Sequence, residues 1–322
     1  MATPDPRGEF FVPIYSKIER WADEDWLEPR FLEALKAFHT NLVNCQHAAS
    51  TPFQMAMAAV ISQAYQRVHT AARIRALKFE TVSERRKLQG LDPEQFRSRL
   101  AMKKTLCKLR RPNERPSGDE ALDFLRGIFG ETNKTLDPTP ELLKQGAIQL
   151  WTSLEVLARD FLIAHLNKQP ALYCRMTTNR KLAAVLPDAL PLRLLEQRGF
   201  DLSQGMGDFA VSRLPTGLPT IVRSYGVLFP RAKALHRALQ ASDIRLLHLR
   251  RNVLVHKSGK ADEAYCLAAK DGTAPGQDIG VSAVEFARFA TAVEAAGSQI
   301  GLTGAAQRPV AAPGDELPNP PV

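Results

Sequence analysis

The amino-acid sequence predicts an all-α protein with a helical N-terminal domain, a second helical bundle of the up-and-down type and an irregular C-terminal tail. Apolar residues make up 44% of the 322 residues and aromatic residues only 7%, and alanine and leucine, which favour helices, dominate. Apolar residues also recur three and four positions apart through most of the chain, as they do along one face of a helix. Only residues 262–270, DEAYCLAAK, are compatible with a short extended piece.

The helices of the N-terminal domain are marked by their start signals. Ser50 can accept the first backbone N–H bonds of a helix whose first turn holds Pro52, and Asp92–Pro93 repeats this signal. Ser117 is placed to cap a shorter helix. These signals and the apolar spacing predict helices at residues 21–45, 50–79, 94–111 and 118–129. Residues 1–136 are therefore predicted to form one helical domain, whose family the residues do not identify.

The second domain is predicted to span residues 138–300, because the polar stretch 130–140 contains two prolines and separates two helical patterns. Thr139–Pro140–Glu141 opens its first helix. One face of this helix is apolar and consists of Leu143, Ala147, Leu150, Leu154, Leu157, Phe161 and Ala164. Prolines and glycines break the pattern between residues 170 and 226, which predicts short helices joined by loops.

The last predicted elements are two longer helices and a tail. A strong helical pattern runs from Pro230 to Lys257, with a possible bend at Ser242–Asp243, and Ser282 caps a closing helix. Residues 301–322 are rich in alanine and proline and have little to bury. This composition predicts a disordered tail.

Composition and charge limit the classes of function. The formal net charge of +9 is spread over both halves, which permits a polyanionic partner and argues against a strongly acidic one. The four cysteines are scattered without CxxC spacing, and the histidines outside residues 248–256 have no ligand-type neighbours, so we expect no metal and no cofactor. No signal peptide or membrane span is recognisable, which predicts a cytoplasmic protein with no membrane contact.

The stretch HLRRNVLVHKSG, residues 248–259, holds the most specific polar pattern in the chain. On a helix of about 100° per residue, His248, Asn252 and His256 form one row opposite a leucine-rich side, and Gly259 is a plausible stop. Arg251 lies beside this row, roughly 140° from His256, so the two converge only through the length of arginine or through a second copy of the helix. The alternative is an ordinary solvated face, of which His248 in particular can be part.

Arg251, Asn252 and His256, with four residues between the arginine and the histidine, resemble the Arg-polar-x-x-x-His signature of HEPN domains, the "higher eukaryotes and prokaryotes nucleotide-binding" helical bundles. The upstream helix LWTSLEVLARDFLIAHL is similar to the first helix of that family, with Glu155 in the place of its acidic residue. The resemblance covers residues 138–300 only.

The resemblance implies a metal-independent endoribonuclease of the toxin or phage-defence type, for which RNA and an antitoxin or defence partner are expected. The predicted catalytic residues are His256 as general acid or base, Arg251 as phosphate clamp, Asn252 as orienting group and Glu155 as a partner of His256 or Arg251. Family members dimerise so that two motifs face one cleft, which implies a homodimer or a heterodimer with another HEPN chain. Two alternatives are a non-catalytic adaptor that binds RNA, a nucleotide or a protein partner, and an unrelated helical protein with a chance motif.

Residues 97–115 form a basic segment, with eight basic residues and one acidic residue. Within it, the predicted RNA-binding residues are Lys103, Lys104, Lys108, Arg110 and Arg111. They would contact the phosphate backbone without reading bases, because Phe96 is the only aromatic residue nearby. The alternative is a solvated helix that carries charge for solubility alone.

Overall fold

The computed structural model describes residues 29–78, 93–111, 116–130, 137–187, 192–197, 199–201 and 205–306. Within these ranges every regular element is a helix, apart from one isolated antiparallel bridge between Lys260 and Asp278. The predicted all-α class is confirmed. Residues 1–28 and 307–322, which hold the start of the first predicted helix and most of the predicted tail, lie outside the described residues.

The chain divides into two compact units whose segments alternate along the sequence. We call the described residues of Ala49–Thr139 the inserted unit, and those of Pro13–Ala48 and Pro140–Val322 the main unit. The predicted division placed everything before residue 137 in one domain. In the structure, helix α1 (Pro29–Ala49) belongs to the main unit instead, because its apolar face packs there.

The inserted unit consists of α2 (Thr51–Lys78), α3 (Pro93–Leu109) and α4 (Gly118–Ile128), with α2 in contact with both other helices. Phe53 of α2 packs against Leu122 and Leu125 of α4. The Ser117 side chain accepts from the Glu120 backbone N–H and the Glu120 carboxylate accepts from the Ser117 N–H, so the predicted cap is a complete capping box.

Helix α5 (Thr139–Lys168) runs through the core of the main unit. Every residue of its predicted apolar face is buried, as are Trp151 and Leu162. The apolar face of α1, which includes Phe38, is also buried. Gly297 of the closing helix has no side chain, so the Phe38 ring can pack against the backbone of that helix. A Cβ at Gly297 would lie 2.3 Å from that ring. The apolar periodicity of α1 and α5 was therefore a correct guide to the core.

The proline- and glycine-rich segment forms the predicted short helices. They are α6 (Leu172–Thr177), α7 (Arg180–Ala183), α8 (Leu192–Gln197), α9 (Met206–Arg213) and α10 (Leu218–Leu228). Helix α9 lies against α5 so closely that a Cβ at Gly207 would be 2.2 Å from the Ile163 carbonyl oxygen. The Gly207 N–H donates to Asn167 Oδ1 at 2.7 Å, which fixes this approach.

The remaining helices are α11 (Lys233–Leu239), α12 (Ser242–His256), α13 (Glu263–Ala269) and α14 (Ala283–Ala306). The predicted bend at residues 242–243 is a full break between α11 and α12. The possible extended piece at 262–270 is wrong: Asp262 accepts from the Tyr265 N–H and caps a helix there. Helix α14 continues to Ala306, past the predicted start of the tail.

His165 of α5 lies inside an aromatic cluster of the main unit. Its ring centroid is 4.8 Å from that of Phe31 and 4.9 Å from that of Phe229, and the Phe161 ring is also in contact. Only 3% of the residue is exposed. Burial, with a smaller contribution from the Lys168 charge, lowers the pKa of His165 from 6.5 to about 4.

Acid is expected to unfold the main unit through His165. Its folded-state pKa of about 4 lies below the unfolded value, so stability is retained above pH 6.5 and is lost as the pH falls toward 4. The full effect is about 3 kcal/mol. Urea unfolding of the wild type and of His165→Leu at pH 7, 5.5 and 4.5 measures it. Equal pH slopes for the two proteins between pH 6.5 and 4 would contradict this assignment.

Candidate functional site

Helix α12 presents opposite faces to the core and to a cavity. Ile244, Leu247 and Val253 are buried, whereas His256 at its last position is exposed. The helix ends as expected: the Gly259 N–H donates to the Val253 carbonyl at 3.2 Å, with φ of 79° at Gly259. This termination leaves the His256 side chain at an open helix end.

A cavity of about 500 Å³ in the main unit collects the polar residues that the sequence singled out. The predicted catalytic residues Glu155, Arg251, Asn252 and His256 all line it, together with His248. The other lining residues come from α5, from the start of α10 and the loop before it, from α12 and from the segment after α12: Trp151, Thr216, Gly217, Pro219, Leu249, Val253, Lys257, Asp262, Ala264 and Tyr265. Within one chain, the motif therefore faces a single space.

Four side chains along this cavity form a continuous chain of hydrogen bonds. Arg251 Nη1 lies 3.3 Å from His256 Nε2 and 3.3 Å from Asn252 Oδ1. Asn252 Nδ2 lies 3.3 Å from His248 Nε2. The Arg251 side chain is long enough to contact His256 although the two residues lie on different sides of the helix. This contact therefore needs no second copy of the helix.

The hydrogen-bonding capacity of Arg251 determines which atoms donate and which accept in this series of hydrogen bonds. A guanidinium group can only donate, so His256 Nε2 and Asn252 Oδ1 must both accept from it. The amide nitrogen of Asn252 then faces His248 Nε2, which must also accept. Both histidines are therefore neutral in this arrangement, each with its proton on Nδ1.

Glu155 lies in the cavity wall but contacts neither His256 nor Arg251, in contrast to both predicted roles. Its Oε1 accepts from the Gly217 N–H at 2.7 Å and its Oε2 accepts from the Trp151 indole N–H at 3.1 Å. Gly217 precedes the first residue of α10, so the carboxylate also lies at the positive end of that helix. Glu155 joins α5 to α10 and fixes Trp151.

His248 is held more firmly than a solvated side chain would be. Its ring centroid is 4.6 Å from that of Trp151, and a Cβ at Gly217 would lie 3.1 Å from His248 Cε1. Burial lowers the pKa of His248; the Glu155 carboxylate opposes this shift and the Arg251 charge adds to it. The alternative of a purely solvated face therefore fails for this residue, which shares its helix row with Asn252.

Arg250 is a structural arginine that the sequence did not distinguish from its neighbour. Its guanidinium pairs with Glu285 at 2.8 Å and with Asp271 at 3.5 Å, and it donates to the Gly280 carbonyl at 3.0 Å. Burial raises the pKa of Asp271, but hydrogen bonds from Tyr265 and Thr273 and the Arg250 charge outweigh it and lower the pKa to about 2. Arg250 thus fastens α12 to the start of α14 and to the preceding loop.

Arg251 differs from Arg250 because its positive charge is not neutralised. No carboxylate of the described residues forms an ion pair with it. Its Nε, like that of Arg250, is buried without an acceptor among the described residues. His248 Nδ1 is likewise buried without an acceptor among the described residues. The cavity therefore offers a guanidinium whose charge no carboxylate of the described residues neutralises, and such a group is suited to binding an oxyanion.

The predicted RNA-binding residues lie on α3 of the inserted unit and just after it. Ala101 and Thr105 form the buried side of this helix, whereas Lys103, Lys104, Lys108, Arg110 and Arg111 are exposed. Arg115 and the side chain of Arg97 lie outside the described residues. The described part of the segment is thus a basic surface.

Comparison with protein-family models, with curated proteins and with solved structures returned no match. The resemblance to HEPN domains therefore rests on the residues of this chain alone. Among the described residues, no helix is long and apolar enough to cross a membrane, and no three His, Cys, Asp or Glu side chains are grouped as metal ligands.

Truncation of the two adjacent arginines is expected to change the free energy of unfolding by different amounts. Arg250→Ala leaves Glu285 and Asp271 without their cation and should lower the free energy of unfolding by about 3 kcal/mol. Arg251→Ala removes no ion pair and should change it by less than about 1 kcal/mol. Urea unfolding followed by circular dichroism compares the two variants, and equal losses would contradict the distinction.

Proposed function

We propose that the protein is a metal-independent endoribonuclease of the toxin or phage-defence type, and that the cavity on α12 binds and cleaves an RNA phosphodiester. One observation supports this most strongly: Arg251, Asn252 and His256 meet in a single cavity, with the arginine free of any carboxylate among the described residues. A cation without a counter-charge beside a neutral imidazole is the pair that phosphodiester transfer needs.

In this mechanism Arg251 binds the scissile phosphate. Its planar guanidinium donates two parallel hydrogen bonds to the non-bridging oxygens and offsets the charge that grows on them in the transition state. Binding the phosphate draws Nη1 away from His256 Nε2, which it contacts in the free protein at 3.3 Å. Asn252 Oδ1 continues to accept from the guanidinium and keeps it oriented.

His256 then acts on the substrate through the released Nε2. As general base it takes the proton of the 2′-hydroxyl, the 2′-oxygen attacks phosphorus, and the bond from phosphorus to the 5′-oxygen breaks. The 5′-oxygen must receive a proton from a general acid. The products are a 2′,3′-cyclic phosphate and a 5′-hydroxyl, and water is not consumed.

The general acid is proposed to come from a second protomer. His248 is a poor candidate within the same chain, because its Nε2 already accepts from Asn252 and its Nδ1 is buried. A homodimer through the main unit would bring a second His256, as the family resemblance implies. The exposure of His256 at the end of α12 is compatible with such a shared site.

Loss of the His256 imidazole is expected to abolish RNA cleavage without unfolding the protein. His256→Ala should lower cleavage by at least about 100-fold, since general acid–base catalysis contributes that much or more. Gel analysis of a labelled RNA with EDTA present measures the rate, and treatment with phosphatase and acid identifies the cyclic phosphate end. Circular dichroism and sedimentation should match the wild type.

His47→Ala, which changes an exposed histidine of the main unit outside the cavity, is the matched control and should cleave normally. Cleavage that persists in His256→Ala would overturn the mechanism. A wild type that binds RNA or a nucleotide but never cleaves would identify the adaptor function instead, and growth on expression would then be equal with and without the His256 change.

The basic surface of α3 is proposed to attract the RNA backbone. Replacement of Lys103, Lys104, Lys108, Arg110 and Arg111 by glutamine should weaken RNA binding and reduce the slope of log affinity against log salt by up to about 3.5, because each of the five lost contacts to single-stranded RNA removes about 0.7. The affinity is measured by fluorescence anisotropy between low and high salt.

A control with the same change in net charge replaces five exposed basic residues of the main unit, namely Arg180, Lys181, Arg231, Lys233 and Lys270. This variant should keep most of the salt slope. If both variants lose affinity equally, the effect is one of overall charge, and an RNA affinity of the wild type that is flat across salt would exclude the basic surface altogether.

A further inference from the structure

We propose that His248 is a positioning residue of this site: it holds the Asn252 amide in the one orientation that presents Oδ1 to Arg251. The expected effect on catalysis rests on the proposed function, whereas the contact between His248 and Asn252 does not. The contact that carries it is the 3.3 Å approach of Asn252 Nδ2 to His248 Nε2.

The two ends of an asparagine amide differ in what they can bind. Arg251 can only donate, so a flipped amide would place two donors against each other and lose the 3.3 Å contact between Nη1 and Oδ1. An acceptor at the other end of the amide opposes that flip, because Nδ2 then has a partner only in the correct orientation. His248 Nε2 is this acceptor.

The His248 ring is itself fixed by two neighbouring elements. The Trp151 ring of α5 packs against it at a tilt of 48°, with the ring centroids 4.6 Å apart. Gly217, just before α10, lies so close that a Cβ there would be 3.1 Å from Cε1. Glu155 binds both Trp151 and Gly217 and so ties these two contacts together. Glu155 therefore fixes the position of the His248 ring through Trp151 and Gly217, and the His248 ring in turn fixes the Asn252 amide.

The neutral state of His248 is part of the same arrangement. A protonated imidazole has no acceptor nitrogen, so it would repel Asn252 Nδ2 and release the amide. Two charged groups face the ring, the Glu155 carboxylate and the Arg251 guanidinium, and their effects on its charge oppose each other. Burial then favours the neutral form that can accept.

Two substitutions at His248 distinguish the effect of a hydrogen-bond acceptor from the effect of side-chain volume. His248→Gln keeps an acceptor oxygen near the place of Nε2, and His248→Leu keeps an apolar side chain against Trp151 without one. We expect His248→Leu to lower kcat/KM for RNA cleavage about tenfold, the usual effect of one lost hydrogen bond of this kind, and His248→Gln to stay within about threefold of the wild type. Unfolding midpoints of both variants should remain close together.

The structural part is tested without RNA, by nitrogen-15 NMR of labelled protein at pH 7. His248 should be neutral with its proton on Nδ1, and the Asn252 side-chain amide should shift in His248→Leu but return toward the wild-type position in His248→Gln. A proton on His248 Nε2, or an Asn252 amide unaffected by either substitution, would overturn the proposal.

The two measurements also separate this proposal from the proposed function. If the NMR results agree but no variant or wild type cleaves RNA, the ribonuclease fails and the positioning role stands. If the wild type cleaves and His248→Leu cleaves equally well, the ribonuclease stands and the positioning role fails. A loss shared equally by His248→Gln and His248→Leu would likewise overturn it, since bulk rather than an acceptor would then be missing.

Discussion

The site depends on one chemical constraint, that the Arg251 guanidinium donates hydrogen bonds and never accepts them. Because it contacts both His256 and Asn252, it assigns the acceptor atoms on both sides and, through the Asn252 amide, on His248 as well. The cation therefore requires an acceptor on His256 and on Asn252, and His248 is proposed to keep the Asn252 amide in the orientation that supplies one. A lysine at this position would lack the planar fork that can donate two parallel hydrogen bonds to a phosphate group.

Helix α12 is held in place by buried polar contacts on its two sides. On one side, Arg250 is neutralised by Glu285 and Asp271. Glu285 also completes the cap of α14 with Ser282, so the same carboxylate fixes the start of one helix and the middle of another. On the other side, Glu155 and Trp151 form the wall that His248 packs against. Of the two adjacent arginines, Arg250 therefore anchors the helix, whereas Arg251 forms no ion pair among the described residues.

Local patterns were enough to predict most of the described helices, the caps at Ser117 and Ser282, and the polar residues of α12 that line the cavity. The buried face of α5 and the row formed by His248, Asn252 and His256 follow from helical periodicity alone, and Ser117 and Ser282 follow from capping chemistry. The helix at residues 263–269 was not predicted, because its short apolar pattern fits a strand as well as a helix and because the Asp262 cap was not recognised.

Contacts between residues far apart in sequence were beyond these patterns. Glu155 was singled out by the resemblance to HEPN domains, but its partner, the Gly217 N–H, lies 62 residues away in the sequence. The role of Arg250 depends on Asp271 and Glu285, which no local spacing connects to α12. The membership of α1 in the main unit likewise rests on distant partners, such as Phe161 for Phe31.

The alternation of segments between the two units has a consequence for biosynthesis. Helix α1 leaves the ribosome long before α5 and α14, the elements that its Phe31 and Phe38 side chains pack against. Until those helices are translated, Phe31 and Phe38 lack these native partners among the described residues, while the inserted unit already has all of its described helices. The nascent chain therefore carries an unmatched hydrophobic surface through much of synthesis, so completion of the core around His165, to which α1 contributes Phe31, is necessarily a late event.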